Sequence, residues 1–387
     1  MKSLEEEIMA QKTVTTFAEL KSAIEDSATT EIRLANDIVF SSGGIQIPRN
    51  KGNISIDGAG HTITDYNSGA YTDTIYFPPS AGAAVTETMK NAVWNGRNYY
   101  GVLCVYDSAN NNNVTTVLDN IKYKGPQFVY NRNGITRIKN CTVSIEKNGS
   151  VGNSQELCEG NRIIIEGKVS VTSQTSSTSV MWFPYAGSAL TVEEGASFTL
   201  QALSTYMWYT DTAAKPVMIF KKNSLTELTV KSGLFYSYGT GAHIASSFTL
   251  EKGASFKAVS SASGGVPVFK CAGAFSMASG SSFQLISPNS GSSPLMYFAN
   301  TATLTFQSPK SVLLYDNGAN IFSFQSGTSA APNTLNITAK MINLWTAAKT
   351  PYASAGGFDD KPASAFFKSG YASEITATVT ASSSAVL

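Results

Sequence analysis

Chemistry on a polysaccharide would require acidic side chains gathered in one place. A Ca²⁺-dependent lyase needs six to eight oxygen ligands, several of them carboxylates, and a base to take a proton next to a sugar carboxylate. The candidate ligands are Asp57, Asp65, Asp73, Asp107 and Asp119, and the candidate bases are Arg97, Arg132 and Arg137. The aspartates lie 8, 8, 34 and 12 residues apart, which is not an Asp-x-Asp ligand pattern. Asp57 and Asp73 read as turn residues that bond their own backbone, and the arginines read as members of surface ion pairs. A hydrolase would need two carboxyl groups flanking one bond. Glu193 and Glu194 are adjacent, so on a strand they point to opposite faces. His61 and His243 are 182 residues apart, with no nucleophile and acid grouped about either. Neither a phosphate-binding loop nor a dinucleotide fingerprint occurs. Cys104, Cys141, Cys158 and Cys271 are scattered without a Cys-x-x-Cys pair and read as buried, inert thiols. The expectation is a chain with no catalytic residue, no metal and no cofactor.

Binding chemistry has better candidates. The chain holds 17 Tyr, 20 Phe and 4 Trp, and two runs concentrate them: Met181–Tyr185 (MWFPY) and Tyr206–Tyr209 (YMWY). Side chains alternate across a strand. Either Trp182 or Phe183 must then face in, and one of Trp208 and Tyr209 must face out. An exposed Tyr or Trp offers a flat apolar face with a polar edge, suited to a sugar or a partner protein. Trp182, Tyr185, Trp208 and Tyr209 are therefore the candidate ligand-binding residues, with core packing as the rival reading.

The elements that would position them are short. Phe17, Leu20, Ala23 and Ile24 fall at helical spacing, and Thr16 with Glu19 forms a capping box, which predicts a helix over 16–26. From Ile32 to about residue 345, β-rich runs of four to six residues alternate with Gly, Asn or Ser. Leu190–Leu200, Phe248–Ala258 and Phe275–Leu285 share one form, in which two alternating strands meet at a glycine, and Leu228–Tyr236 is a weaker copy. The four glycines, 195, 233, 253 and 280, are separated by 38, 20 and 27 residues. Periods of 20–50 residues point to a solenoid. Phe198, Phe256 and Phe283 occupy one place in three copies and are expected to stack as an interior ladder. Asn-Gly at 95, 133, 148 and 317 leaves hairpins as the alternative.

Composition agrees with a solenoid. Hydrophobic residues are 42%, enough for a core, while charged residues are only 14% and the net charge is +1. Such a balance attracts neither nucleic acid nor an anionic membrane surface. Nothing approaches the ~18 consecutive apolar residues of a membrane span. Residues 1–12 carry Glu5, Glu6 and Glu7 in place of a basic start and an apolar run, so they read as leader residues and not as a signal peptide. The low-charge, Ser/Thr-rich body suggests an exported protein.

More specific text carries a resemblance. Thr16–Ile24, Ile32–Ile38 and Ile54–Ile63 resemble the first coils of pectate-lyase-like right-handed parallel β-helices. Tyr123–Gly134, Asn153–Glu156, Ser179–Phe183 and Leu190–Val192 then occur in the order seen in the pectate-lyase-like adhesive domain of Gram-positive cell-surface proteins. Ile342–Trp345 and Gly357–Pro362 resemble the end of that domain, so the likeness spans roughly 13–380. The resemblance implies an all-β chain: a single right-handed parallel β-helix over 13–345, including the N-terminal capping helix. Residues 346–387 are expected to be a C-terminal lid and tail. In it Phe358, Phe366 and Phe367 would cover the last coils, 375–380 would be an edge strand and 381–387 would be loose. It further implies a monomeric, non-catalytic adhesin-type module on the bacterial cell surface, outside the cell. Its partner would be an extracellular glycan, or a protein of a host or neighbouring cell, with no nucleic acid and no membrane insertion. The alternatives are a polysaccharide lyase or glycoside hydrolase on the same helix, and a rigid stalk.

Overall fold

Repeats of one strand–corner–strand form can bury their apolar faces only by stacking on one another. The structure, a computed structural model, shows that stacking. It describes residues 11–66, 74–78, 84–148, 155–174, 179–202, 206–211, 214–236, 243–261, 267–287, 294–316, 322–324, 333–341 and 375–386. The chain divides into two compact units, Met1–Asn161 and Arg162–Leu387. Each is a parallel β-solenoid, as expected. The hairpin alternative fails because the ladders are parallel, and the antiparallel bridge Gly101–Val129 is an isolated one.

In the first unit, strand Gln11–Val14 pairs with Glu31–Leu34, which pairs with Ile54–Asp57. Ile54–Asp57 pairs with Val85–Asn95, and the succession continues through Val114–Gly125 to Val129–Lys139. The first strand thus begins at Gln11, two residues before the expected start. In-register pairing lines up Ile32, Ile56, Met89, Leu118 and Ile138, all buried, as one aliphatic column. A second face stacks Ile63, Trp94, Tyr123 and Val143. The sharp corner between these faces holds Ala59, Asn91, Asn120 and Asn140 at φ of 51–56°. Asn tolerates that left-handed conformation better than most residues. Its amide also bonds along the stack: Asn120 Nδ2 donates to Asn91 Oδ1 (2.9 Å), and Asn91 Nδ2 to Asp57 Oδ1 (3.1 Å).

The helix spans Phe17–Glu25 and carries the predicted capping box between Thr16 and Glu19. Leu20, Ala23 and Ile24 are buried. Its far end is closed by a residue the sequence did not single out. Lys51 is 2% exposed, and its ammonium donates to the carbonyls of Ala23 (3.2 Å), Ile24 (2.7 Å) and Asp26 (2.6 Å). A cation on the last carbonyls of a helix satisfies orphan acceptors and opposes the negative end of the helix dipole. Burial pushes this amine down to about 8.

In the second unit, Ile163, Leu190, Met218, Phe248, Phe275, Leu304 and Leu335 form one inward column over seven consecutive rungs. The corners that follow are Gly195, Asn223, Gly253, Gly280 and Ser308, all at positive φ and spaced by 28, 30, 27 and 28 residues. This corrects the expected corner at Gly233. The true corner of that coil is Asn223, which replaces the uneven spacings of 38 and 20 with 28 and 30. The Phe ladder is corrected in the same way. Phe198 pairs with Thr226, which pairs with Phe256, so only Phe256 and Phe283 stack directly, at 5.6 Å. Thr226 is fully buried between two phenylalanine rungs, and its hydroxyl finds no hydrogen-bond partner. A buried unpaired hydroxyl costs ~1–3 kcal/mol. Thr226→Val should therefore raise the unfolding free energy by about 1 kcal/mol or more in urea titrations; a loss of stability would show that the hydroxyl is satisfied.

Near the C-terminus, Asn333–Met341 pairs in parallel with Ile375–Val386. The edge strand foreseen over 375–380 exists, but it runs on through Val386 where a loose tail was expected. Trp345, Phe358, Phe366 and Phe367, and with them the lid, lie outside the described residues. All four cysteines are buried. Burial raises the thiols of Cys141 and Cys271 to about 12 and about 11, which keeps them protonated and inert.

Candidate ligand-binding face

Strand alternation decides which of the candidate aromatics can meet a ligand. In Ser179–Phe183, Met181 and Phe183 are buried and Trp182 is half-buried. In Tyr206–Thr210, Trp208 is fully buried and Tyr209 is half-buried. Trp208 is therefore a core residue, packed on Phe235 at 4.9 Å, and its expected place on the surface is corrected. Tyr185 follows the first strand, half-buried at a turn where its carbonyl accepts from Ser188 N (3.2 Å) and Ser188 Oγ (2.6 Å).

Trp182 pairs in register with Tyr209. The Trp208–Phe235 bridge brings Tyr236 onto the next rung beside Tyr209. Ring centroids are 5.3 Å apart for Trp182–Tyr209 and 5.4 Å for Tyr209–Tyr236. These distances approximate the ~4.8 Å spacing of neighbouring strands. Three coils thus present one aromatic rung each along the outer face. Asp211 accepts from Trp182 Nε1 (3.1 Å) and fixes the indole. His243 packs on Tyr209 (4.6 Å) and Tyr236 (5.0 Å), with Nδ1–H donating to the Thr210 carbonyl at 2.6 Å. Its desolvation lowers the imidazole pKa, which favours the neutral ring. Lys270, 3% exposed, donates to the Tyr236 carbonyl (2.6 Å) and ties the last rung to the coil below. Burial pushes its amine down to about 8.

Sequence reasoning found Trp182 and Tyr209 but missed Tyr236, His243, Asp211 and Lys270. These come from different coils and meet only through register. The one available signal was Tyr236 at the end of the weak fourth copy.

The acidic candidates do not converge on a shared site. Asp57 accepts from Ala59 N (2.8 Å) and pairs with Arg33 (3.2 Å), the turn role expected of it. Asp65 is buried, holding Trp94 Nε1 (2.8 Å) and Arg97 N (2.9 Å), and desolvation pushes its carboxyl up to about 7. Asp107 pairs with Arg132 (3.2 Å) and Asp119 with Lys139 (3.0 Å). Glu194 pairs with Lys222 (3.0 Å), and His61 stands beside Asp37 (3.4 Å). Asp73 lies outside the described residues. Among the described residues no three metal-ligating side chains gather, and no helix is long and apolar enough to cross a membrane.

Comparison with known proteins gives matches of two kinds. A family model for a pectate lyase-like adhesive domain matches residues 11–130. Among solved structures, the SRRP of L. reuteri 53608 aligns at TM-score 0.50 with 19% identity, covering 81% of this chain and 100% of its own. A second chain, "L. reuters 100-23 SRRP", aligns at TM-score 0.38 with 15% identity, covering 83% and 97%. No curated protein matches. The resemblance to the pectate-lyase-like adhesive domain, drawn first from the order of short motifs, thus holds for the coils within residues 11–130 and for the solenoid fold that follows from stacking them.

Proposed function

We propose that the chain is a non-catalytic binding module of a cell-surface adhesin, presenting one face of its β-solenoid to an extracellular glycan or to a protein of another cell. The observation that carries this reading is the outer aromatic column Trp182–Tyr209–Tyr236, anchored at its edges by Asp211, His243 and Lys270. Solvent-facing rings repeated once per coil have no role in the core, which is filled by a separate column on the inner side of the same strands. A linear ligand lying along the stack would meet one ring per rung. The matched family description, that of an adhesive domain, points the same way. The module acts as a monomer outside the cell, on a bacterial surface. A screen of the purified chain against immobilised glycans and matrix proteins tests the reading. At least one should bind, and a chain that binds none would favour the stalk.

The reading as non-catalytic rests on Asp57, Asp65, Asp107 and Asp119, which are each engaged with their own partners. Incubation with polygalacturonate and Ca²⁺, followed by ultraviolet absorbance of unsaturated product, should give no turnover. A rate of order 1 s⁻¹ or more, ordinary for an enzyme, would replace the binding reading with the lyase.

A further inference from the structure

We propose that the unit Met1–Asn161 carries a second ligand site, for a neutral, hydroxyl-rich saccharide, built by Tyr100, Tyr106, Asp107, Tyr130, Arg132 and Glu159. The proposal rests on reading the chain as a binding module, but none of these residues belongs to the aromatic column described above.

The site starts from alternation in the strand Val129–Lys139. Asn131 points inward, donating from Nδ2 to the carbonyls of Val114 (3.3 Å) and Ile135 (3.1 Å), and accepting from Gly134 N (2.9 Å). That locks its neighbours Tyr130 and Arg132 onto the same outer face. Tyr130 meets Tyr100 edge-on at 5.1 Å. Arg132 pairs through Nη1 with Asp107 Oδ2 (3.2 Å), and its Nε lies 3.8 Å from Glu159 Oε2. Tyr106, next to Asp107, is 37% exposed and stacks on Tyr76 at 5.1 Å. The Tyr76 hydroxyl is held in turn by Gln46 Oε1 (3.2 Å).

This arrangement combines flat apolar rings with fixed donors and acceptors. A guanidinium clamped between carboxylates offers N–H donors beside carboxylate acceptors. Sugar hydroxyls both donate and accept, so adjacent hydroxyls can use both kinds of group. The sign of the charge selects among saccharides. Asp107 and Glu159 both face Arg132, and Glu156 lies close enough to raise the Glu159 carboxyl, so an anionic ligand would meet acidic side chains. The crowding is visible in Glu159, whose carboxyl is pushed up to about 8, first by burial and then by Glu156.

The test uses the full chain in biolayer interferometry against immobilised galactan, mannan and β-glucan, with polygalacturonate as the anionic comparator. At least one neutral polysaccharide should bind, with little dependence on salt because no net charge is neutralised. Tyr106→Ala and Arg132→Gln should each weaken that binding about tenfold or more, while Leu313→Ala, at an exposed position that belongs to neither set of residues, leaves it unchanged. Should Arg132→Gln fail to fold, Tyr106→Ala decides alone, since its ring is solvent-facing. Wild-type binding to polygalacturonate only, or unaltered neutral binding by Tyr106→Ala, would overturn the site. Neutral binding lost only in Tyr209→Ala would overturn it too, while leaving the binding-module reading intact.

Discussion

Replacing Phe256 with alanine should cost about 3–5 kcal/mol of stability, the usual figure for emptying a core aromatic site. Phe256 is fully buried and packs on Phe220 (4.9 Å), Phe248 (5.1 Å) and Phe283 (5.6 Å, stacked). These rings come from the coils above and below as well as from its own, so the cavity would sit where three rungs meet. A solenoid has no distant core to compensate, because each coil is held only by its neighbours. Urea unfolding of the variant measures the loss. A change under ~1 kcal/mol would mean that the ring is not enclosed by its rungs.

Glu87→Gln should flatten the dependence of stability on pH. Glu87 is 1% exposed, faces the interior between Ile54 and Thr116, and neither carboxyl oxygen has a hydrogen-bond partner. Desolvation pushes its carboxyl up from 4.5 to about 8. Between those two values the folded chain holds a proton that the unfolded chain releases, so stability falls as pH rises across that window. At ~1.36 kcal/mol per unit the loss has an upper limit of about 5 kcal/mol. Asp65 and Glu159, raised to about 7 and about 8, act in the same direction and leave a residual slope in the variant. His243, lowered by burial, acts in the opposite direction below 6.5. Lys51 and Lys270, lowered to about 8, contribute slope only above that value. Stability measured at pH 5 and pH 8 should therefore show the variant gaining on the wild type at the higher pH. An equal difference at both would mean that Glu87 is ionised or hydrated in the folded chain.

What the sequence made legible followed from local rules. The capping box needs only Thr16 and Glu19, and the parallel solenoid follows from repeated copies of one strand–corner–strand form. The phase of the weak copy was not legible, because Asn223 serves the left-handed corner as well as glycine does. Glycine as the only corner marker points to Gly233 instead. The same blindness placed Phe198 beside Phe256, although Thr226 stands between them. At the candidate face, alternation showed that one of Trp208 and Tyr209 faces out, but only register with Trp182 and Phe235 decides that it is Tyr209. Tyr236, His243 and Lys270 join from three other segments, and no pattern within any one of them marks a shared site. Lys51 is a similar case, a single lysine that reads as surface charge until the helix carbonyls are seen around it.

The central claim is that the aromatic column binds the ligand, and one measurement bears on it most directly: the affinity of Tyr209→Ala, compared with the wild type, for whichever immobilised glycan or protein the screen identifies on this face. Tyr209 is the middle rung, touching Trp182, Tyr236 and His243, and its ring is half-buried. Loss of a central aromatic contact should weaken binding by about tenfold or more, equivalent to ~1.4 kcal/mol, with parallel strands retained by circular dichroism. Unchanged affinity in a folded variant would contradict the account and move the binding surface away from this face.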